Sequence, residues 1–217
     1  MDNKIEGIYK NEYSSYPVPP SLFFLKILRI ILYTLGIFLA FIFSKNSFPW
    51  VLSSIFLSII YNNHKLSLQQ RPPLDSILHF SGSFVFTISG GVWDGSEFSS
   101  VFPYALSLSL LFTGGYWNHL LLDKEKDMAL GRKTMAHKIK NEIIKGGSII
   151  FISSGDLFLG FFLGKKSFIF LLTFSIAAFF IIFFGLINKN PVFFRKTYRT
   201  IHFFLGLILI LLFGVFF

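Results

Sequence analysis

The sequence contains no cysteine, which excludes disulfide bonds and thiolate metal ligands alike. Charge is scarce: only 14% of the 217 residues are Asp, Glu, Lys or Arg, against roughly a quarter in ordinary soluble domains. Acid is scarcer still, with 11 Asp and Glu facing 20 Lys and Arg for a net charge of +9. Residues 1–20 are polar and lack a signal-peptide pattern, so the first apolar segment is expected to stay as an anchor. Pro17, Pro19 and Pro20 keep a helix from starting early in that lead-in.

What the chain has instead is apolar surface. It is 53% hydrophobic with a mean hydropathy of +0.63, more than a soluble domain of this size can hide. The reading is a single all-α domain over 21–217, a polytopic transmembrane helical bundle. Apolar stretches predict seven spans, at 21–43, 48–61, 75–92, 101–122, 143–163, 168–187 and 201–217. The second is marginal in length. The third is unusually polar, with His79, Thr87, several Ser and the pair Gly90-Gly91, and such residues face a bundle interior or cavity. The 31 Phe are accounted for most simply by lipid-facing positions.

The placement of charge gives an orientation. Of 20 Lys and Arg, only Lys45, Lys165 and Lys166 fall outside residues 1–29, 62–74, 123–145 and 188–199. That bias predicts a multi-pass protein of the cell (inner) membrane, with the amino terminus and the 123–142 loop cytoplasmic. The positive charge is then a topology signal rather than a nucleic-acid surface, and 188–200 reads as a basic loop.

The densest chemistry lies where the fourth span ends, in GYWNHLLLDKEKDMALGRKTMAHK, residues 115–138. Asp123 and Asp127 are four apart, so on a helix their carboxylates stack on one face and repel. They also face the helix's negative end. A divalent cation relieves both costs. Mg²⁺ suits the pair, because it keeps waters and combines one or two carboxylates with substrate phosphates. Arg132, Lys133 and Lys138 follow and suit a diphosphate's outer oxygens. A merely solvated loop has the same composition. Glu125 points away from both aspartates. His119 shares the face of Asp123, although a His satisfied by a neighbouring helix is the simpler reading. Asp156, at membrane depth, is a functional candidate by default. It lies toward the far side, so it is left out of the site, and a helix break at Gly155 would equally account for it.

The run DKEKDMALGRKTMA resembles the second aspartate motif of the UbiA superfamily of intramembrane prenyltransferases, roughly D-x-E-x-D-x-x-x-G-x-x-T-x-A. Asp123, Glu125, Asp127, Gly131, Thr134 and Ala136 fall in register. A second stretch, residues 61–80, resembles that family's Y-x-x-x-K element, with Tyr61 and Lys65 at its spacing and Arg71 in a variant ending R-P-x-L-D. The resemblance implies a UbiA-like fold. It also implies transfer of an isoprenoid chain from a prenyl diphosphate to an aromatic or other lipophilic acceptor, with Mg²⁺ as cofactor. Asp123 and Asp127 become the catalytic metal ligands, and Tyr61, Lys65, Arg71, Arg132 and Lys133 bind diphosphate. Membrane lipids are the surroundings, and no nucleic acid is a partner.

The resemblance also departs. Family members have nine helices and a first motif, N-D-x-x-D-x-x-x-D, which Asp2, Glu6 and Glu12 do not reproduce. The first two helices read as missing. A late start codon, a truncated gene, or a divergent protein needing a protein partner each explain that. The alternative function is a catalytically impaired or inactive UbiA-like scaffold or partner subunit. A haem carrier using His79, His119 and His202 lacks paired spacing. A CDP-alcohol phosphotransferase lacks its upstream D-G and A-R segments.

Overall fold

The computed structural model describes residues 22–61, 66, 68, 71–129, 134–165 and 167–216. Among the described residues there are nine helices and no strand. They are α1 (Leu22–Phe43), α2 (Phe48–Tyr61), α3 (Leu74–Gly91), α4 (Phe98–Leu122), α5 (Lys124–Ala129), α6 (Met135–Lys138), α7 (Asn141–Gly164), α8 (Phe168–Ile187) and α9 (Pro191–Phe216).

Helices α4, α7 and α8 are long and apolar enough to cross a membrane, at 25, 24 and 20 residues. At 1.5 Å per residue the shortest is about 30 Å, the thickness of a bilayer's hydrocarbon core. The apolar segments Ile27–Phe43 and Phe48–Tyr61 are shorter. Helices α2 and α8 have the bounds expected from sequence, and α3, α4 and α7 shift by a few residues. The last helix is a correction: it begins at Pro191, not 201, so most of the expected basic loop is helix. Its start has a local cause. Asn190 accepts a hydrogen bond from the Val192 N–H through Oδ1 at 2.8 Å, and proline is pre-set for the first helical position.

The helices pack in the order α1, α2, α3, α4, α7, α8, α9, with α9 returning to touch α4. The outside is apolar as well as the core, and several small polar side chains are buried. Phe168 and Leu186 are each 71% exposed, whereas Ser47, Ser107, Ser109 and Ser148 are fully buried. Lipid offers apolar side chains as good a home as a core does. Helix association therefore depends on close backbone approach and on hydrogen bonds between helices.

The α4–α7 contact shows how. A Cβ on Gly114 would lie 2.9 Å from both the backbone N of Ile152 and the carbonyl O of Ser148. Across the same crossing the Ser148 hydroxyl donates to the Gly114 carbonyl at 2.6 Å. Farther along, Gly160 and Gly164 form a G-x-x-x-G face on α7, and Cβ atoms there would sit 2.6 Å from that of Phe174 and 2.8 Å from that of Leu171. Tight seams thus fix α4 against α7 and α7 against α8, and α4 carries the face on which the candidate site is built.

Candidate functional site

The charged run after α4 is folded onto the bundle. The chain bends at Asp123 and continues as α5, and the Asp127 N–H still donates to the Asp123 carbonyl at 2.7 Å. The return through α6 is anchored by Met135 and Ala136, both buried against Leu120 and Ile144. His137 ties the two short helices together, with Nε2 2.9 Å from the Lys124 carbonyl and Nδ1 3.1 Å from the Thr134 hydroxyl. Lys124 donates to the Asn141 side chain at 2.8 Å. Among its described residues the segment is held to the bundle at both ends.

Beside it lies a cavity of about 490 Å³. Helix α4 supplies one wall from a single face, with Leu108, Leu111, Phe112, Gly115, Tyr116 and His119 at helical spacing. Helix α9 faces it with a stripe of Arg195, Tyr198, Arg199 and His202, while α3 adds His79 and α7 adds Ile152. The helix ends that meet here are fixed by cross-bonds. Asn118 donates to the Pro191 carbonyl at 3.3 Å, and Lys145 to the Asn188 carbonyl at 2.5 Å. Down α4 the lining changes from His119 at the loop end to Leu108 about 16 Å deeper, at 1.5 Å per residue. The α4 wall thus turns apolar inward, while the α9 wall stays polar as far as His202.

Two hydrogen-bonded groups flank this space. On one side the Tyr116 hydroxyl donates to Asp75 Oδ2 at 3.2 Å, and Asp75 Oδ1 accepts from the Ser76 N–H at 2.7 Å. Tyr61 and Tyr116 are hydrogen-bonded through their hydroxyls. Tyr116 has one proton and gives it to Asp75, so it accepts from Tyr61. His79 stacks on the Tyr116 ring at 4.4 Å between centroids, and the Trp117 indole donates to Ser76 at 3.0 Å.

On the other side His202 Nε2 meets Asp156 Oδ1 at 3.0 Å, and Nδ1 meets the Tyr198 carbonyl at 2.7 Å. A carbonyl only accepts, so Nδ1 carries a proton and the pair shares one more between Nε2 and Oδ1. Asp156 is fully buried. Helix α7 runs unbroken through Gly155, so the expected break is absent. The bond to His202 also joins Asp156 to the cavity from which the sequence reading had separated it.

The predicted site residues are placed as follows. Asp123 is half-exposed at the bend, its Oδ2 3.0 Å from His119 Nε2, so it reaches the cavity through His119. That contact corrects the expectation that a neighbouring helix satisfies His119. Asp127 stands one turn on in α5 and is half-buried. Tyr61 ends α2, bonded to Tyr116. Arg71 is exposed before α3 and does not line the cavity. Lys65, Arg132 and Lys133 lie outside the described residues.

Asp123 and Asp127 bring two carboxylates to the bend after α4. An all-protein cage is not offered, since among the described residues no group of three ligating side chains comes together. The same finding weighs against a metal held by His79, His119 and His202, although all three line one cavity. The guanidinium groups that do enter the cavity, Arg195 and Arg199, were hidden in the sequence by their reading as loop. Their spacing with His202 at i, i+4 and i+7 was the signal that would have found them. No family model, curated protein or solved structure matches this chain.

Proposed function

We propose that this chain is a multi-pass membrane prenyltransferase, moving an isoprenoid chain from a prenyl diphosphate to a lipophilic acceptor at the cytoplasmic side of the inner membrane. The observation that carries the reading is the cavity itself: two guanidinium groups on its α9 wall, an apolar stretch from Leu108 to Phe112 on its α4 wall, and Asp123 at its rim through His119. A prenyl diphosphate likewise joins an anionic head to an apolar chain. The UbiA-like spacing of Asp123, Asp127, Thr134 and Ala136 agrees with it, and so does the anchoring of Thr134 and Ala136 in the bundle.

In this reading the C–O bond of the prenyl diphosphate breaks with its electron pair leaving on diphosphate. An electron-rich carbon of the acceptor then bonds to the allylic cation and loses a proton. Mg²⁺, when bound by Asp123 and Asp127, supplies positive charge to the leaving group. Lys65, Arg71, Arg132 and Lys133 add cationic side chains on the loops that carry them. The apolar wall of Leu108, Leu111 and Phe112 excludes water from the cation. Seven crossings with cytoplasmic 62–74, 123–140 and 188–190 segments complete the reading.

The test is transfer of radiolabelled geranylgeranyl diphosphate into an organic-extractable product by the purified chain in nanodiscs, given Mg²⁺ and a membrane lipid extract. Label in that phase, lost on Asp123→Asn, supports transfer. A second reading, a scaffold that keeps the fold without the chemistry, is favoured by the engagement of Asp123 with His119 in place of a third carboxylate. It predicts no transfer by a chain that still runs as a single folded species.

A further inference from the structure

We propose that the cavity holds the head of a phosphate-bearing amphiphile without a metal ion, using Arg195 and Arg199 of α9 as its main cations. Both guanidinium-bearing residues line it from one helical face, one turn apart. Like charges at that spacing repel. Among the described residues neither forms an ion pair with a carboxylate, and two acids close to the lining, Asp123 and Asp156, pair with His119 and His202. His79 and His119 line the same space. The lining itself thus has two guanidinium groups and no carboxylate, Asp123 and Asp156 beside it being already bonded to His119 and His202. It is the complement of an anion and within itself offers Mg²⁺ no hard ligand.

The apolar part of the lining says what is attached to that anion. Leu108, Leu111, Phe112 and Ile152 continue the cavity inward. Phe112 lines it and is also 55% exposed, so an alkyl or isoprenoid tail lying there reaches the outer surface of the bundle, where lipid would be. A volume of about 490 Å³ is in the range of small-molecule sites. A phosphate monoester is favoured over a carboxylate, because two forked guanidinium groups match three oxygens and a double charge better than a flat single one. The inference takes only its ligand class from the prenyl-transfer reading. The cations it assigns are none of the loop residues named there.

The experiment is equilibrium binding of radiolabelled decyl phosphate to the full chain in neutral phosphatidylcholine nanodiscs, with EDTA or with Mg²⁺. The expected result is saturable binding in EDTA, changed less than about twofold by Mg²⁺. Arg195→Gln and Arg199→Gln should each weaken it about tenfold or more. Binding that requires Mg²⁺, binding undiminished by Arg199→Gln, or decanoate binding as tightly as decyl phosphate would each overturn the proposal. Arg199 is exposed, so its variant keeps the packing and decides the matter if Arg195→Gln fails to fold. A chain that binds decyl phosphate yet transfers no prenyl group loses the transferase reading and keeps this site. A chain that transfers but binds only with Mg²⁺ does the reverse.

Discussion

Replacing Gly114 with alanine adds one methyl group at the seam that holds the cavity wall in place. The new Cβ would stand 2.9 Å from two backbone atoms of α7, the Ile152 N and the Ser148 O. Backbone cannot rotate aside as a side-chain tip can, so α4 and α7 must separate. Over-packing of this kind costs about 1–3 kcal/mol. The separation also strains the 2.6 Å bond from the Ser148 hydroxyl to the Gly114 carbonyl, worth about 1 kcal/mol between membrane helices. Together that is about 2–4 kcal/mol, and at about 2–4 °C per kcal/mol for a chain of this size the melting temperature should fall by about 4–16 °C. The assay is thermal loss of the monodisperse peak in size-exclusion chromatography. Gly82→Ala is the control, since nothing lies within 4 Å of its Cβ position and alanine is the better helix former. A Gly114→Ala protein that melts with the Gly82→Ala protein would refute the close crossing and the cavity geometry built on it.

Other consequences can be checked separately. His202→Leu leaves the buried Asp156 carboxyl without its partner and should cost about 3 kcal/mol or more in the same melting assay, while Asp156→Leu with His202→Leu should recover most of it; equal losses in both would contradict a coupled pair. Because the chain has no cysteine, single substitutions report orientation: Glu125→Cys should react with an impermeant maleimide only after the cells are opened, and Ser96→Cys in intact spheroplasts. The reverse pattern would invert the topology. The Ser96 hydroxyl and N–H hold the Asp94 carboxyl below the ordinary carboxylate range. That turn is therefore stabilised above the ordinary range and loses the contribution as pH falls through the lowered value. In Ser96→Ala the Asp94 titration followed by NMR should move up, and an unmoved titration would remove the assignment.

Helices α2 and α8 were legible to the residue because each is a predominantly apolar, uncharged stretch bounded by polar loop residues. Helix α9 was not, because Arg195, Lys196 and Arg199 outweighed the Asn190-Pro191 start signal in a hydropathy reading. Composition reports what a segment prefers as surroundings, and this segment turns Arg195 and Arg199 toward a cavity that hydropathy does not register. The same limit governs the site. Asp123 and His119 are one turn apart, and the sequence placed them on one face. Asp156 and His202 are 46 positions apart, and only the packing of α7, α8 and α9 brings them together. Asp75 shows the intermediate case: its place after Arg71-Pro72 was visible, while its burial beneath Tyr116 was not.

Diphosphate release is the most direct measurement, because it needs no knowledge of the acceptor. The purified chain in nanodiscs, given geranylgeranyl diphosphate and Mg²⁺, is predicted to release inorganic diphosphate above the level of empty discs. Asp123→Asn and Asp127→Asn should each lower that rate about a hundredfold or more. Release no faster than from empty discs, or an unchanged rate in both variants, would contradict a catalytic role for the acidic pair at the end of α4.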